Sequence, residues 1–270
     1  MQESLRYDFS GQTILITGGT RGIGRAVSEA FLDAGATVLA VYAGNRQAAD
    51  AFAAAHAAAA DRLEVHALDV GDYPQVERFF KELDGRHARL DVLVNNAGIR
   101  RDAVVGMMPP ESWQQVIQTN LTGTYTMSKF AVLKMMQARY GRIVTITSPS
   151  GVIGFEGQAN YAASKAGQVA FCRSLAREVA RRNITVNCVS PGFIATDLIA
   201  DLPAEQAAAY RQMVPLRRFG EPPEVAAAVL FLASSAAAYI TGAVLDVTGG
   251  RHSSSSGSPC RWASPARRSG

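Results

Sequence analysis

The sequence predicts an α/β protein: one doubly wound domain on a seven-stranded parallel sheet, with helices on both faces. Three observations carry this. Short runs of Val, Ile, Leu and Thr alternate with helical stretches from Thr13 to Val247. Most of these runs are close to continuously apolar rather than alternating, as a strand buried on both faces requires. A glycine-rich turn, Gly18 to Gly24, separates the first run from the first helical stretch. Strands joined by helices of this length form right-handed βαβ crossovers and hence a parallel sheet.

Taken in order, Thr13–Thr17 is the first strand and Arg21–Ala34 the first helix. Thr37–Val41 gives the second strand, an alanine-rich helix runs near Ala48–Ala60, and Leu63–Leu68 is the third strand. A helix around Gln75–Arg86 leads to the fourth strand, Leu90–Val94. The long helices Glu111–Ala138 and Gln158–Ala180 each precede a strand, Arg142–Ile146 and Thr185–Val189. A last helix near Glu224–Ala233 is followed by Ala243–Val247. The stretch Val225–Leu245 is uncharged and long enough to span a bilayer. It is rich in Ala and Ser, and Ser234-Ser235 and Thr241-Gly242 interrupt it, so it reads as buried helix, turn and strand rather than a membrane span. Residues 1–250 are expected to form the domain. Residues 251–270 contain seven Ser and no Ile, Leu, Val or Phe, which predicts a disordered basic tail.

Composition narrows the class. At 270 residues and 48% hydrophobic, the chain can bury a large core without disulfides or metal. Its net charge of +4 comes from the four arginines after Gly250; the rest balances at 23 residues of each sign. A neutral body gives no support to nucleic-acid binding. Cys172, Cys188 and Cys260 form no CxxC pair, which fits a reducing, cytoplasmic setting. The N-terminal segment lacks an uninterrupted apolar stretch, so no signal peptide is expected. The four His are scattered without ligand spacing, and no metal is expected.

Thr17-Gly-Gly-Thr-Arg-Gly-Ile-Gly24 links a β-branched strand to a helix, with Gly18, Gly22 and Gly24 spaced GxxxGxG. Glycines let the backbone turn tightly and approach a pyrophosphate, while free N–H groups at the helix start face the anion. Gly18, Thr20, Arg21, Gly22, Ile23 and Gly24 are therefore candidate dinucleotide-binding residues of a Rossmann-type domain. The second strand ends in Val41-Tyr-Ala-Gly-Asn-Arg46, without the carboxylate that would hold a ribose 2′-hydroxyl. Arg21 and Arg46 could instead meet a 2′-phosphate, which points to NADPH.

Four signatures stand in order: Gly18 to Gly24, Asn95-Asn-Ala-Gly98, Tyr161-Ala-Ala-Ser-Lys165 and Pro191-Gly192. Together they resemble the short-chain dehydrogenase/reductase family, from about Ser10 to Gly250. Tyr161 and Lys165 lie four apart on a predicted helix, on one face. A free phenol titrates near pH ~10, and a neighbouring ammonium would lower that value, making Tyr161 a usable general acid. Ser148, thirteen residues before Tyr161, would hydrogen-bond a substrate carbonyl oxygen as charge develops there, with Ser150 a lesser candidate. The resemblance implies that NADPH delivers hydride to a ketone and Tyr161 donates the proton. It further implies that Lys165 and Asn120 resupply that proton through the ribose hydroxyl and a water. It also implies that Asp69 and Val70 contact adenine and that Asn95, Ala97 and Gly98 line the cofactor. Pro191, Gly192, Ile194 and Thr196 would meet the nicotinamide, and residues 193–216 would form a substrate lid.

Gly157-Gln-Ala-Asn-Tyr-Ala-Ala-Ser-Lys-Ala-Gly167 and Pro191-Gly-Phe-Ile-Ala-Thr-Asp197 are similar to bacterial 3-oxoacyl-[acyl-carrier-protein] reductases. The resemblance implies a 3-oxoacyl thioester carried by acyl carrier protein, with Arg139 and Arg182 as possible docking residues. Arg100 and Arg101 are candidates for greeting the phosphate of the pantetheine arm. It further implies a homotetramer built on the two long helices. The alternatives are an acetoacetyl-CoA or polyketide-type ketoreductase, a short-chain alcohol or sugar dehydrogenase, and, remotely, a non-catalytic NADPH sensor. Family members usually end near Gly249-Gly250, so the different end from Arg251 would loosen assembly or leave a frayed strand.

Overall fold

The computed structural model describes residues 7–196 and 203–251. Its strands are β1 (Thr13–Thr17), β2 (Thr37–Tyr42), β3 (Leu63–Ala67), β4 (Val92–Asn95), β5 (Gly141–Ile146), β6 (Ile184–Pro191) and β7 (Val244–Val247). They form one parallel sheet in the order β3-β2-β1-β4-β5-β6-β7. The chain winds outward from β1 to β3, then returns to the other side of β1 with β4. Connections leaving β1 and β4 therefore diverge, and the crevice this opens at the carboxyl edge is where such sheets bind ligands.

The helices are α1 (Gly22–Asp33), α2 (Arg46–Ala55), α3 (Tyr73–Arg86), α4 (Pro110–Val116), α5 (Gly123–Ala138), α6 (Ser150–Ile153), α7 (Ala159–Val179), α8 (Ala204–Gln212) and α9 (Pro222–Ala233). Two apolar layers cover the sheet. Ile14 and Ile16 of β1 pack with Val27 and Phe31 of α1 and Val225 and Val229 of α9. Leu15, pointing the other way, packs with Phe80 of α3, Met127 and Met135 of α5, and Leu175 of α7. Successive β1 residues thus enter opposite layers, which is why the strand reads as an unbroken apolar run.

The uncharged stretch from Val225 divides into α9, a short 3₁₀ turn at Ser235–Ala237 and β7. No helix among the described residues is long and apolar enough to cross a membrane. Three elements differ from the sequence expectation. The alanine-rich helix ends at Ala55, where the His56 ring meets the Phe52 carbonyl and a 3₁₀ turn follows. The expected continuous helix Glu111–Ala138 is broken into α4 and α5 by a π-helical stretch, Ile117–Thr122. There the Asn120 carbonyl is taken by Thr124 Oγ1 at 2.7 Å and Gln168 Nε2 at 2.8 Å, bonds that hydrophobic periodicity cannot register. The third is α6, four residues read from sequence as a loop.

The expected lid, residues 193–216, is described at 193–196 and 203–216; Asp197 to Leu202 lie outside the described residues. Of the predicted tail, only Arg251 is described.

Candidate active site

The turn after β1 needs its glycines for two separate reasons. Gly18 and Gly22 have positive φ, 65° and 54°, where a side chain would be strained. At Gly24 a Cβ would lie 2.0 Å from the Gly18 carbonyl oxygen and 2.5 Å from Asn96 Nδ2. The backbone is therefore laid bare at the start of α1. Arg21, the N-cap, makes no side-chain capping bond, and the first turn holds no acidic residue. Open N–H groups at a helix N-terminus suit a pyrophosphate, and this cradle fits a dinucleotide. Thr196 lies against it, 3.7 Å from where a Gly22 Cβ would be.

Asn96, absent from the sequence-derived candidates, clamps the turn. Its Nδ2 donates to the carbonyls of Thr17 and Gly18 at 3.0 and 3.1 Å, while Thr17 Oγ1 accepts from the N–H groups of Asn96 and Ala97. Asn95 turns inward instead, its Nδ2 donating to Ser128 Oγ at 3.0 Å. Asp69 is exposed and accepts from the Gly71 N–H, and Val70 is buried beside Gly123. Asp69 also borders an open cleft of about 460 Å³ with Trp113, Gln118 and Thr119. At the end of β2, Arg46 opens α2, highly exposed and only loosely paired with Asp50 at 3.5 Å. Gly192 packs its Cα face on Thr248, and Ile194 is buried and bridged to Gly220.

Ser148, Tyr161 and Lys165 meet at the carboxyl edge of the sheet. Ser148 leaves β5, and α7 brings Tyr161 and Lys165 on one face. Lys165 Nζ sits 5.5 Å from the Tyr161 ring centroid and donates to the Ile146 carbonyl at 2.8 Å. Lys165 is buried, and desolvation pulls its pKa down to about 8. Burial pushes the Tyr161 phenol up from its ordinary value, while hydrogen bonding to Ser148 and the charge of Arg100 pull it back. The expected lowering of the phenol by Lys165 is outweighed by burial: the Lys165 ammonium, still largely protonated at neutral pH, is turned toward the Ile146 carbonyl.

Asn120 is buried in the π-helical stretch. Its Oδ1 accepts from the Ile99 N–H at 2.8 Å, and its Nδ2 donates to the Ile99 carbonyl and Ser164 Oγ, both at 3.1 Å. Gly98 separates it from Lys165; a Cβ there would stand 3.4 Å from Asn120 Oδ1 and 3.8 Å from Lys165 Nζ. Ser150 is buried while Ser148 is partly exposed, which favours Ser148 as the hydroxyl facing a ligand. Arg139 and Arg182 are exposed on either side of the main-chain bond from Gly141 N to the Asn183 carbonyl. That is the amino edge of the sheet, the end opposite Tyr161.

Further residues shape the site. Asn160 Nδ2 fastens the carbonyls of Arg101 and Ser112 at 2.9 and 3.3 Å. Gln158 bridges Ser150 Oγ and Asp102 Oδ2 at 3.4 Å each, Phe155 meets Phe193 edge-on at 6.4 Å, and Phe193 stacks on Tyr210 of α8 with centroids 4.6 Å apart. Arg251 lies over Phe155 and Phe193, 4.7 and 5.0 Å from their centroids. Asn160 precedes Tyr161 directly, so its position in the motif was the available signal. The aromatic cluster is assembled from distant segments and had none.

A doubly wound sheet with a glycine cradle and a Ser–Tyr–Lys cluster at its switch point defines a nicotinamide-dependent oxidoreductase class. A family model described as enoyl-(acyl carrier protein) reductase matches residues 18–252, and the chain belongs to the short-chain dehydrogenase/reductase family, oxidoreductases acting on CH–OH and C=O groups. Among curated relatives, the 3-oxoacyl-[acyl-carrier-protein] reductases FabG of Vibrio harveyi and Escherichia coli are each 44% identical over 245 residues. Each match covers 91% of this chain and 99% of the relative. The enzyme of the same name from Aquifex aeolicus is 43% identical over 249 residues, with the same coverage.

Proposed function

We propose that the chain reduces a 3-oxoacyl thioester, carried by acyl carrier protein, to the 3-hydroxyacyl thioester with NADPH. The observation that carries this reading is the convergence of Ser148, Tyr161 and Lys165 beside the glycine cradle. A bound reduced nicotinamide supplies the hydride. Ser148 Oγ donates a hydrogen bond to the ketone oxygen, where negative charge gathers. Tyr161 Oη gives that oxygen its proton. Lys165, poised near pH 8, stabilises the phenolate and is suited to return a proton to it. Asn120 anchors the relay from across Gly98. Gly18 to Gly24 with Thr20 and Ile23 would hold the pyrophosphate, and Gly192, Ile194 and Thr196 the nicotinamide end. Asp69 and Val70 would border the adenine. Exposed Arg21 and Arg46, with no carboxylate at the end of β2, support a 2′-phosphate and so NADPH.

Carrier protein, an acidic partner, would dock on Arg139 and Arg182. These lie at the amino edge, so a docked arm would serve the site of a neighbouring copy, in keeping with a homotetramer. The test follows NADPH oxidation with acetoacetyl-carrier protein, acetoacetyl-CoA and crotonyl-CoA, each repeated with NADH. Preference for the carrier form with NADPH supports the reading. Equal use of CoA moves it toward an acetoacetyl-CoA or polyketide-type ketoreductase. Turnover of crotonyl-CoA alone would replace it with enoyl reduction.

A further inference from the structure

The loop after Gly98 is fixed to the start of α7. Asn160, the residue before Tyr161, holds the Arg101 carbonyl, and the Ala103 N–H donates to the Gly157 carbonyl at 2.9 Å. Within this loop Arg100 grips both oxygens of Asp102, through Nε to Oδ1 at 3.3 Å and through Nη2 to Oδ2. Asp102 Oδ2 also accepts from Gln158 Nε2 at 3.4 Å, and Gln158 Oε1 accepts from Ser150 Oγ at 3.4 Å. Ser150 Oγ in turn accepts from Ser148 Oγ at 3.1 Å. A single chain of polar contacts thus runs from the Ser148 hydroxyl to a guanidinium whose Cζ stands 5.9 Å from the Tyr161 ring centroid.

We propose that Arg100 is a positioning residue for the reaction: clamped by Asp102, its permanent charge stabilises the phenolate that Tyr161 becomes on giving up its proton. The proposal rests on Tyr161 being the proton donor. The groups facing that phenol are Lys165 from α7, Arg100 and Asp102 from the loop, and Ser148 from the end of β5. Asp102 acts against the phenolate, and the Arg100 charge outweighs it at the phenol. Lys165 Nζ is bonded to Ile146, and desolvation pulls its pKa down to about 8. A guanidinium cannot be deprotonated in a protein, so Arg100 is the cation that persists across the working range. Tyr210 of α8 faces Arg100 as well, so the lid helix borders this charge. The role differs from greeting a substrate phosphate, because the Asp102 clamp occupies the guanidinium edge.

The sign is fixed by the chemistry. Ketone reduction needs the phenol, so its rate falls as pH rises through the Tyr161 pKa. Alcohol oxidation needs the phenolate, so its rate falls as pH drops below that value. Removing Arg100 raises the pKa, and both limbs move upward. Arg100 is one-third exposed, and Arg100→Gln keeps a polar side chain beside Asp102. The experiment records kcat/KM against pH in both directions for wild type, Arg100→Gln and Arg100→Lys. An upward shift of about one pH unit in Arg100→Gln is expected, largely reversed in Arg100→Lys. A purely structural role would lower both rates at every pH without moving either limb, and that result overturns the proposal. Phenolate absorbance titrated in the substrate-free protein, with Tyr161→Phe as the blank, must show the same displacement. Full activity in Tyr161→Phe would instead sink the proton-donor reading, a separate failure.

Discussion

At Gly24 two effects oppose each other. Alanine is the better helix former by about 1 kcal/mol, yet its Cβ would meet a backbone oxygen at 2.0 Å, which no side-chain adjustment relieves. Gly24→Ala is expected to weaken dinucleotide binding at least ~10-fold through the displaced pyrophosphate turn, measured by calorimetric titration with NADPH; unchanged affinity would refute the cradle. Lys165 offers a second prediction. Its folded pKa, about 8, lies below its ordinary value of 10.5. The unfolded chain therefore binds more protons between those values, and stability rises with pH across that window. At pH 7 the buried charge works against folding. Lys165→Met removes that penalty but leaves the Ile146 acceptor unpaired, so the net gain is about 1–2 kcal/mol, alongside loss of activity. Urea unfolding at pH 7 and pH 10.5 checks it, with the gap between the proteins narrowing at the higher pH.

Element by element, the site depends on how helices begin and break. At the N-terminus of α9 the Glu224 N–H donates to the Glu221 carbonyl at 2.9 Å, and the Glu224 carboxylate reaches back to accept from the Glu221 N–H at 2.8 Å. Arg218, in the segment between α8 and α9, pairs with the same carboxylate at 2.6 and 2.7 Å. These partners lower the Glu224 pKa to about 2. Its contribution is therefore present above about pH 4.5 and lost as pH falls toward 2. Because the pair is exposed, Glu224→Gln should cost under ~1 kcal/mol globally. Locally, it should speed amide exchange in the first turn of α9. Exchange rates that match wild type would show that the clasp holds nothing. The π-helical stretch is the counterpart on the other side of the cleft: by breaking the long helix it brings the Asn120 amide within hydrogen-bond reach of Ile99 and Ser164.

For the whole molecule, the proposed homotetramer is the property most open to test. Tyr125 and Leu133 on α5 are 44% and 55% exposed, and Tyr125 contacts Phe171 of α7 edge-on. Apolar side chains gathered on two long helices mark a surface suited to a second copy. Light scattering at micromolar concentration should give a tetramer, and Leu133→Asp should shift it to smaller species. A monomeric wild type would remove the assembly and, with it, the route from Arg139 and Arg182 to a neighbouring site.

The sequence by itself determined the parallel sheet, the glycine turn and the Tyr161–Lys165 pair, because each is a local signal: continuous apolar runs, a glycine turn after a strand, an i,i+4 pair. It also separated the charge-balanced body from a basic terminal segment. What only the tertiary structure decided depends on residues far apart in the chain. Asn96 rather than Asn95 holds the glycine turn, because the pleat sends neighbouring side chains to opposite sides. The direction of the Tyr161 and Lys165 shifts follows from burial, which no spacing encodes. Arg100 is turned from a surface cation into a neighbour of the phenol by Asp102, Gln158 and Asn160, drawn from two loops and a helix that meet only after folding.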